Sequence, residues 1–130
     1  MTDYMADTHS LLWAFHKPKK LGDNARFVFE EVASGKAKLL IPTIVLAELI
    51  FTVENKPIQA DLDKIISAIQ KSPNIMFVPF DYKSAIRLRD LTAIPEMHDR
   101  IIVSAAIEYR ATLITFDKII TESGLVKVIW

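Results

Sequence analysis

The sequence predicts an α/β fold built on a mainly parallel sheet, and two observations carry that reading. Short apolar runs of strand length alternate along the chain with stretches of helical periodicity, the pattern of strand–helix–strand units with helices on both faces of a sheet. The chain is also 130 residues long and 51% apolar, which suits one domain of the usual ~100–150 residues and gives it enough material for a core. It has no internal repeat, low-complexity tract or linker, so residues 1–130 are expected to fold as a single domain.

The elements follow in order. Residues 4–6 read as a short strand, and Leu11, Leu12 and Phe15 as the apolar side of a helix after it. The run His16-Lys17-Pro18-Lys19-Lys20 is a loop. Asp23 is placed to cap a helix that carries Phe27, Val28 and Val32 and stops near Gly35. Leu39-Leu40-Ile41 is a strand closed by Pro42, and Thr43 is placed to cap a helix running to Val53. Leu62, Ile65, Ile66 and Ile69 form a one-sided stripe that ends at Ser72-Pro73. Residues 75–78 read as a strand, and Asp81 as the cap of a helix with Ala85, Ile86 and Leu88. A helix over 98–109, a strand over 112–115 and a last strand over 126–129 complete the series.

Composition removes several chemistries. The absence of cysteine excludes disulfides, thiolate nucleophiles and Cys-ligated zinc. With only three glycines there is no Gly-rich phosphate loop. The net charge of zero argues against a long, sequence-reading DNA binder, but not against an enzyme that meets a few phosphates beside bound metal. The N-terminal segment has acids where a secretion signal is basic, and no run approaches the ~20 apolar residues of a membrane span. A cytoplasmic protein with no membrane partner is expected.

Four acids fall at one predicted edge. Asp7 follows the first strand and Asp117 a later one, Asp99 opens the helix over 98–109, and Glu48 lies early in the helix over 43–53. In a parallel sheet, strand ends and the starts of the following helices share the carboxyl edge, where ligands bind. Taken singly, Asp7 and Asp99 read as helix caps and Asp117 as a turn residue. Glu48 differs: its neighbours Ile44, Val45, Leu46, Leu49, Ile50 and Phe51 cover every face of the helix, so it is expected to be buried and to want a cation. Clustered carboxylates repel unless a hard divalent ion joins them, and Mg²⁺ or Mn²⁺ suits all-oxygen ligation. One ion, or two about 3.5–4 Å apart, would activate water against a phosphodiester.

At these residues the chain resembles the PIN-domain ribonucleases, and among them the VapC-type toxins of toxin–antitoxin pairs. The likeness lies in four ordered blocks: Met5-Ala6-Asp7-Thr8-His9-Ser10-Leu11-Leu12-Trp13, Pro42-Thr43-Ile44-Val45-Leu46-Ala47-Glu48-Leu49, Pro95-Glu96-Met97-His98-Asp99-Arg100-Ile101-Ile102 and Leu113-Ile114-Thr115-Phe116-Asp117. Only Ala6 departs, being smaller than the bulky apolar residue expected there. The resemblance implies a three-layer α/β/α sandwich, Mg²⁺- or Mn²⁺-dependent endoribonuclease activity, a homodimer and a cognate antitoxin. It makes Asp7 and Asp99 the principal metal ligands, with Glu48 and Asp117 completing the catalytic pocket. Thr8 and Thr115 would orient a carboxylate or water at the substrate, and Arg100 would contact phosphate or else pair with Glu96 or Asp99. Two rivals stand beside this reading: a non-catalytic PIN-like binding module, and an α/β phosphatase. The phosphatase lacks support, because no second Asp follows Asp7 two residues on.

Other residues have ordinary uses. His9 and His98 flank key acids, but Mg²⁺ prefers oxygen. Glu96 is a fifth acid or a solvated loop carboxylate. Lys17, Lys19 and Lys20 read as a solvated loop more readily than as a track that steers an RNA backbone, and Trp13 and Phe15 as core aromatics more readily than as rings that stack a base. The helix over 43–53 has more apolar surface than one buried face needs. The excess points either to cover by the helix over 62–69, or to a homodimer or antitoxin surface.

Overall fold

The computed structural model describes residues 3–130. Five strands, β1 (Asp3–Ala6), β2 (Lys38–Pro42), β3 (Ile75–Val78), β4 (Thr112–Ile114) and β5 (Val128–Ile129), form one all-parallel sheet in the order β3-β2-β1-β4-β5. The helices are α1 (Thr8–His16), α2 (Asp23–Ala33), α3 (Thr43–Asn55), α4 (Leu62–Lys71), α5 (Tyr82–Arg87), α6 (Met97–Tyr109) and α7 (Lys118–Ser123). The chain steps from β1 outward to β2 and β3, then returns to the other side of β1 and steps outward again through β4 to β5. Right-handed crossovers that reverse direction in this way cover opposite faces of a sheet, which gives the three-layer α/β/α sandwich.

The three inner strands are the most buried. Met5, Ala6, Leu39, Ile41, Leu113 and Ile114 are all fully buried and belong to one continuous core with Leu11, Val45, Leu49 and Ile102. Register fixes what happens at the carboxyl edge: Met5 pairs with Leu40 and Leu113, and Ala6 with Ile114. The next residue on each strand is therefore Asp7 or Thr115, and the Asp7 N–H still bonds to the Ile114 carbonyl at 3.3 Å. Among the described residues, no helix is long and apolar enough to cross a membrane.

Most elements lie where the periodicity puts them, and the differences have local causes. Asp23 and Thr43 are the first helical residues of α2 and α3, with Gly22 and Pro42 in the cap positions. Proline fixes its own φ and leads into a helix without any side-chain acceptor. Asp81 caps α5 through the Ser84 N–H, as expected. α6 starts at Met97, and its cap is Glu96, whose carboxylate accepts from the Asp99 N–H at 2.8 Å. The fifth acid is thereby a helix cap, and Asp99 is a first-turn residue and not a cap. α7 was not expected from the sequence; it is six residues long with Ile120 buried, capped by Asp117 and ended by Gly124 in the left-handed region at φ 67°.

α3 corrects a larger expectation. Only Val45 and Leu49 are buried on it, while Phe51 is 70% exposed and Glu48 is half-buried. Burial alone therefore does not force a cation onto Glu48. α3 packs against α1 and α6, and that packing sets Glu48 beside the carboxyl edge.

Candidate active site: an acidic cavity at the sheet's switch point

The reversal of strand order lies between β1 and β4, and in open α/β sheets the crevice outside the carboxyl ends of such strands is the binding position. A cavity of about 550 Å³ opens there. Asp7, Glu48, Asp99 and Asp117 all line it, together with Thr8. The structure thus brings together the acids that the sequence placed on one edge.

Three of the four carboxylates, those of Asp7, Glu48 and Asp117, are held by a named donor. Asp7 caps α1: its Oδ1 accepts from the Ser10 N–H at 2.9 Å and its Oδ2 from the Thr115 hydroxyl at 2.5 Å. The Thr115 oxygen in turn accepts from the Asp117 N–H at 3.1 Å, so one buried hydroxyl ties the two strand-end acids together. Asp117 caps α7 by accepting from the Ile120 N–H at 2.8 Å. The Thr8 hydroxyl donates to Glu48 Oε1 at 2.9 Å, linking α1 to α3. Thr8 and Thr115 therefore act on carboxylates: Thr115, buried and outside the cavity lining, is a positioning residue.

Arg100 is placed differently from its expected role. Its Nε donates to the Ile94 carbonyl and its Nη1 to the Leu88 carbonyl at 3.4 Å, so the guanidinium braces the loop before α6. It does not line the cavity, and among the described residues it forms no ion pair with Glu96 or Asp99. His98 lies outside the cavity lining as well, with Nδ1 2.7 Å from Glu96 Oε1. The Glu96 hydrogen bond raises the His98 pKa, against a smaller opposing effect of burial.

The electrostatics of the cavity are unbalanced. Partial burial pushes the Asp99 carboxyl up to about 6, and the charges of Asp117, Glu96, Glu48 and Asp7 add to the effect. Among the described residues, none of the four lining acids has a basic partner within ion-pair distance. Lys56, the one lysine among the described lining residues, pairs with none of them, and like charges in such excess around one space are the arrangement that a cation relieves.

The donor set is all oxygen and suits a hard divalent ion. Among the described residues, no three acids or histidines converge closely enough to form a ready-made shell. Mg²⁺ fits such a site, because it keeps several waters and takes only one or two carboxylates directly.

Sequence reasoning missed four lining residues: Thr52, Lys56, Ile102 and Phe116. Glu48 and Thr52 are spaced by four on one face of α3 and Lys56, its C-cap, continues the spacing, a pattern that was available to find Thr52 and Lys56. Trp13, read as core, lines the cavity with His9, whereas Phe15 faces a separate groove.

The fold and this cavity define a parallel α/β domain with an acidic site at its switch point. The chain belongs to the PIN domain family, whose model matches residues 4–123. Among curated proteins, none matches it by sequence. It is similar in structure to VapBC2 from Rickettsia felis, solved bound to a DNA fragment from the promoter, with TM-score 0.73, 22% identity and 98% of each chain covered. DNA-bound VapBC from Salmonella typhimurium is similar at TM-score 0.71 and 15% identity, over 99% of this chain and 98% of that one. A toxin–antitoxin complex from Klebsiella pneumoniae follows at TM-score 0.65 and 15% identity, over 98% and 96%.

Proposed function

We propose that this PIN domain is a divalent-metal-dependent endoribonuclease and the toxin of a toxin–antitoxin pair. The observation that carries the reading is the cavity around which Asp7, Glu48, Asp99 and Asp117 stand without a basic partner. Asp7 and Asp99 would be the principal ligands of Mg²⁺ or Mn²⁺, with Glu48 and Asp117 completing the set. The bound ion would supply an activated water and stabilise charge on the leaving oxygen of a phosphodiester. The protein's own part is orientation. Thr115 fixes Asp7 through Oδ2 and anchors the Asp117 backbone, and Thr8 fixes Glu48 through Oε1. These bonds hold the carboxylates at the cavity wall before any ligand arrives, so little reorganisation is needed on binding.

The partner is a cognate antitoxin, in line with the toxin–antitoxin complexes that share this fold. Self-association as a homodimer through exposed apolar surface such as Phe51 of α3, and residence in the cytoplasm, complete the proposal.

Purified protein incubated with mixed RNA and Mn²⁺ should cut it, chelator should stop the cutting, and Asp99→Asn should be inert while still folded. RNA left intact by well-folded protein with Mn²⁺ would rule out the nuclease and leave a binding module. For the toxin, expression of the wild type alone should arrest growth of its host and Asp7→Asn should not. Unimpaired growth at high expression would overturn that part alone.

A further inference from the structure

An aromatic strip borders the acidic cavity. Phe116 stands between Thr115 and Asp117, the two residues that frame the site, and it is 69% exposed. Its ring packs against Trp130 with centroids 5.2 Å apart at a 43° tilt, and Trp130 meets Trp13 at 5.7 Å and 66°. Scattered exposed apolar residues are normal on protein surfaces. Here, however, three rings are linked in series, one pair tilted and one edge to face, with Trp13 and Trp130 partly buried against the core and Phe116 left exposed at the outer end. Phe116 also walls a second cavity of about 600 Å³, shared with Trp130, Val128 and Thr121. One exposed ring therefore separates the acidic cavity from a mostly apolar one.

Two further observations point to a ligand with both a flat apolar group and a phosphate. A side chain at Gly22 would come within 2.6 Å of both the Trp130 backbone and its ring, so the glycine is what lets Trp130 seat in the strip. Lysines flank it: Lys20 Nζ lies 5.4 Å from the Trp13 ring centroid, Lys56 lines the acidic cavity and Lys118 the apolar one. Lys20 already covers the Trp13 ring, so the exposed Phe116 ring with Lys56 and Lys118 on the two flanking cavities is what matches a nucleotide chain, a base on the ring and phosphates on the charges.

We propose that the Phe116–Trp130 strip is a base-stacking subsite that receives an unstacked nucleobase of single-stranded RNA next to the acidic cavity. The proposal rests on the nuclease reading and names its substrate as single-stranded. Bases in an A-form duplex are already stacked and turn no face outward, so duplex RNA cannot use the strip. Stacking on an aromatic ring tolerates any base, so the subsite sets strand state and not sequence.

The chain has two tryptophans, Trp13 and Trp130, and both lie in the strip, so intrinsic fluorescence reports on this surface alone. The test titrates the full chain, with Ca²⁺ to neutralise the acids, with a short oligouridine, an abasic sugar–phosphate oligomer of equal length, and an RNA duplex. Oligouridine should quench the fluorescence. Phe116→Ala should weaken its binding by ~10–100-fold, the usual range for one lost base–aromatic stack, and Phe116→Tyr should bind like wild type. The abasic oligomer and the duplex should bind wild type no better than oligouridine binds Phe116→Ala. Gly22→Ala, which displaces Trp130, should also weaken binding. Because the Phe116 ring is exposed, Phe116→Ala should keep the wild-type circular dichroism. Equal affinity of wild type and Phe116→Ala for oligouridine, equal binding of the abasic oligomer, or no binding at all would overturn the subsite, and would fit a surface reserved for a protein partner. Cleavage with Mg²⁺, scored separately, distinguishes the two claims: quenching without cleavage sinks the nuclease alone, and cleavage indifferent to Phe116 sinks the subsite alone.

Discussion

Two half-buried polar clusters in this molecule are built on opposite principles. At the seam between α5 and α6, Arg87 meets Glu108 at 2.7 Å and also donates to the Ser104 carbonyl, while the Ser104 hydroxyl donates to the Ser84 carbonyl at 2.9 Å. Charge there is matched, and the cluster joins two helices. At the carboxyl edge, Asp7, Glu48, Asp99 and Asp117 share a cavity; hydroxyl or backbone donors hold the carboxylates of Asp7, Glu48 and Asp117, and none of the four forms an ion pair among the described residues. A cluster whose charge is complete contributes to cohesion; one whose charge is left incomplete is, on the proposed function, where an ion from outside would complete it. The Asp99 carboxyl, raised to about 6, registers the difference.

The comparison can be broken by substitution at either cluster. The largest effect is expected from Asp99→Asn, which should lower metal-dependent cleavage by orders of magnitude in a gel assay. The metal-free variant should melt no lower than metal-free wild type, since a repelled charge has been removed. Thr115→Val comes next. It removes the hydroxyl that ties Asp7 to Asp117, and it should weaken Mn²⁺ binding by ~10–100-fold, as loss of a ligand-orienting group generally does. The matched cluster should behave in the reverse manner: Arg87→Ala leaves Glu108 without its partner and should cost about 1–3 kcal/mol in denaturant melts, with metal binding unchanged.

The smallest effect concerns pH. The folded Asp99 carboxyl is raised from 3.8 to about 6, so the metal-free fold holds its proton more tightly than the unfolded chain does. The stability this contributes is complete below 3.8 and is lost as pH rises through about 6. Melts of wild type across that window should therefore decline relative to Asp99→Asn. Parallel curves would show that Asp99 is not repelled in the fold.

How far the sequence carried this account follows from where each residue sits. Asp7 and Asp117 were legible because apolar runs locate strand ends, and register then brings strand ends to one edge. Glu96 as the cap of α6 was hidden because Glu is not among the favoured capping residues. α7 was hidden because six residues with one buried isoleucine carry almost no periodic signal. The apolar composition of α3 overstated its burial, since periodicity reports what a helix could bury and not what packs against it. Arg100 stands beside Asp99 in sequence, yet its guanidinium reaches the Ile94 and Leu88 carbonyls, a tertiary choice that no spacing reveals.

The central claim is that the unmatched acids form a cation site, and calorimetric titration of Mn²⁺ into the metal-free protein tests it most directly. The account predicts saturable binding at pH 7 that weakens at pH 5 as the Asp99 carboxyl, with its pKa of about 6, takes up a proton, and that is strongly reduced in Asp99→Asn at both pH values. Absence of binding at pH 7, or equal binding by wild type and Asp99→Asn, would contradict it.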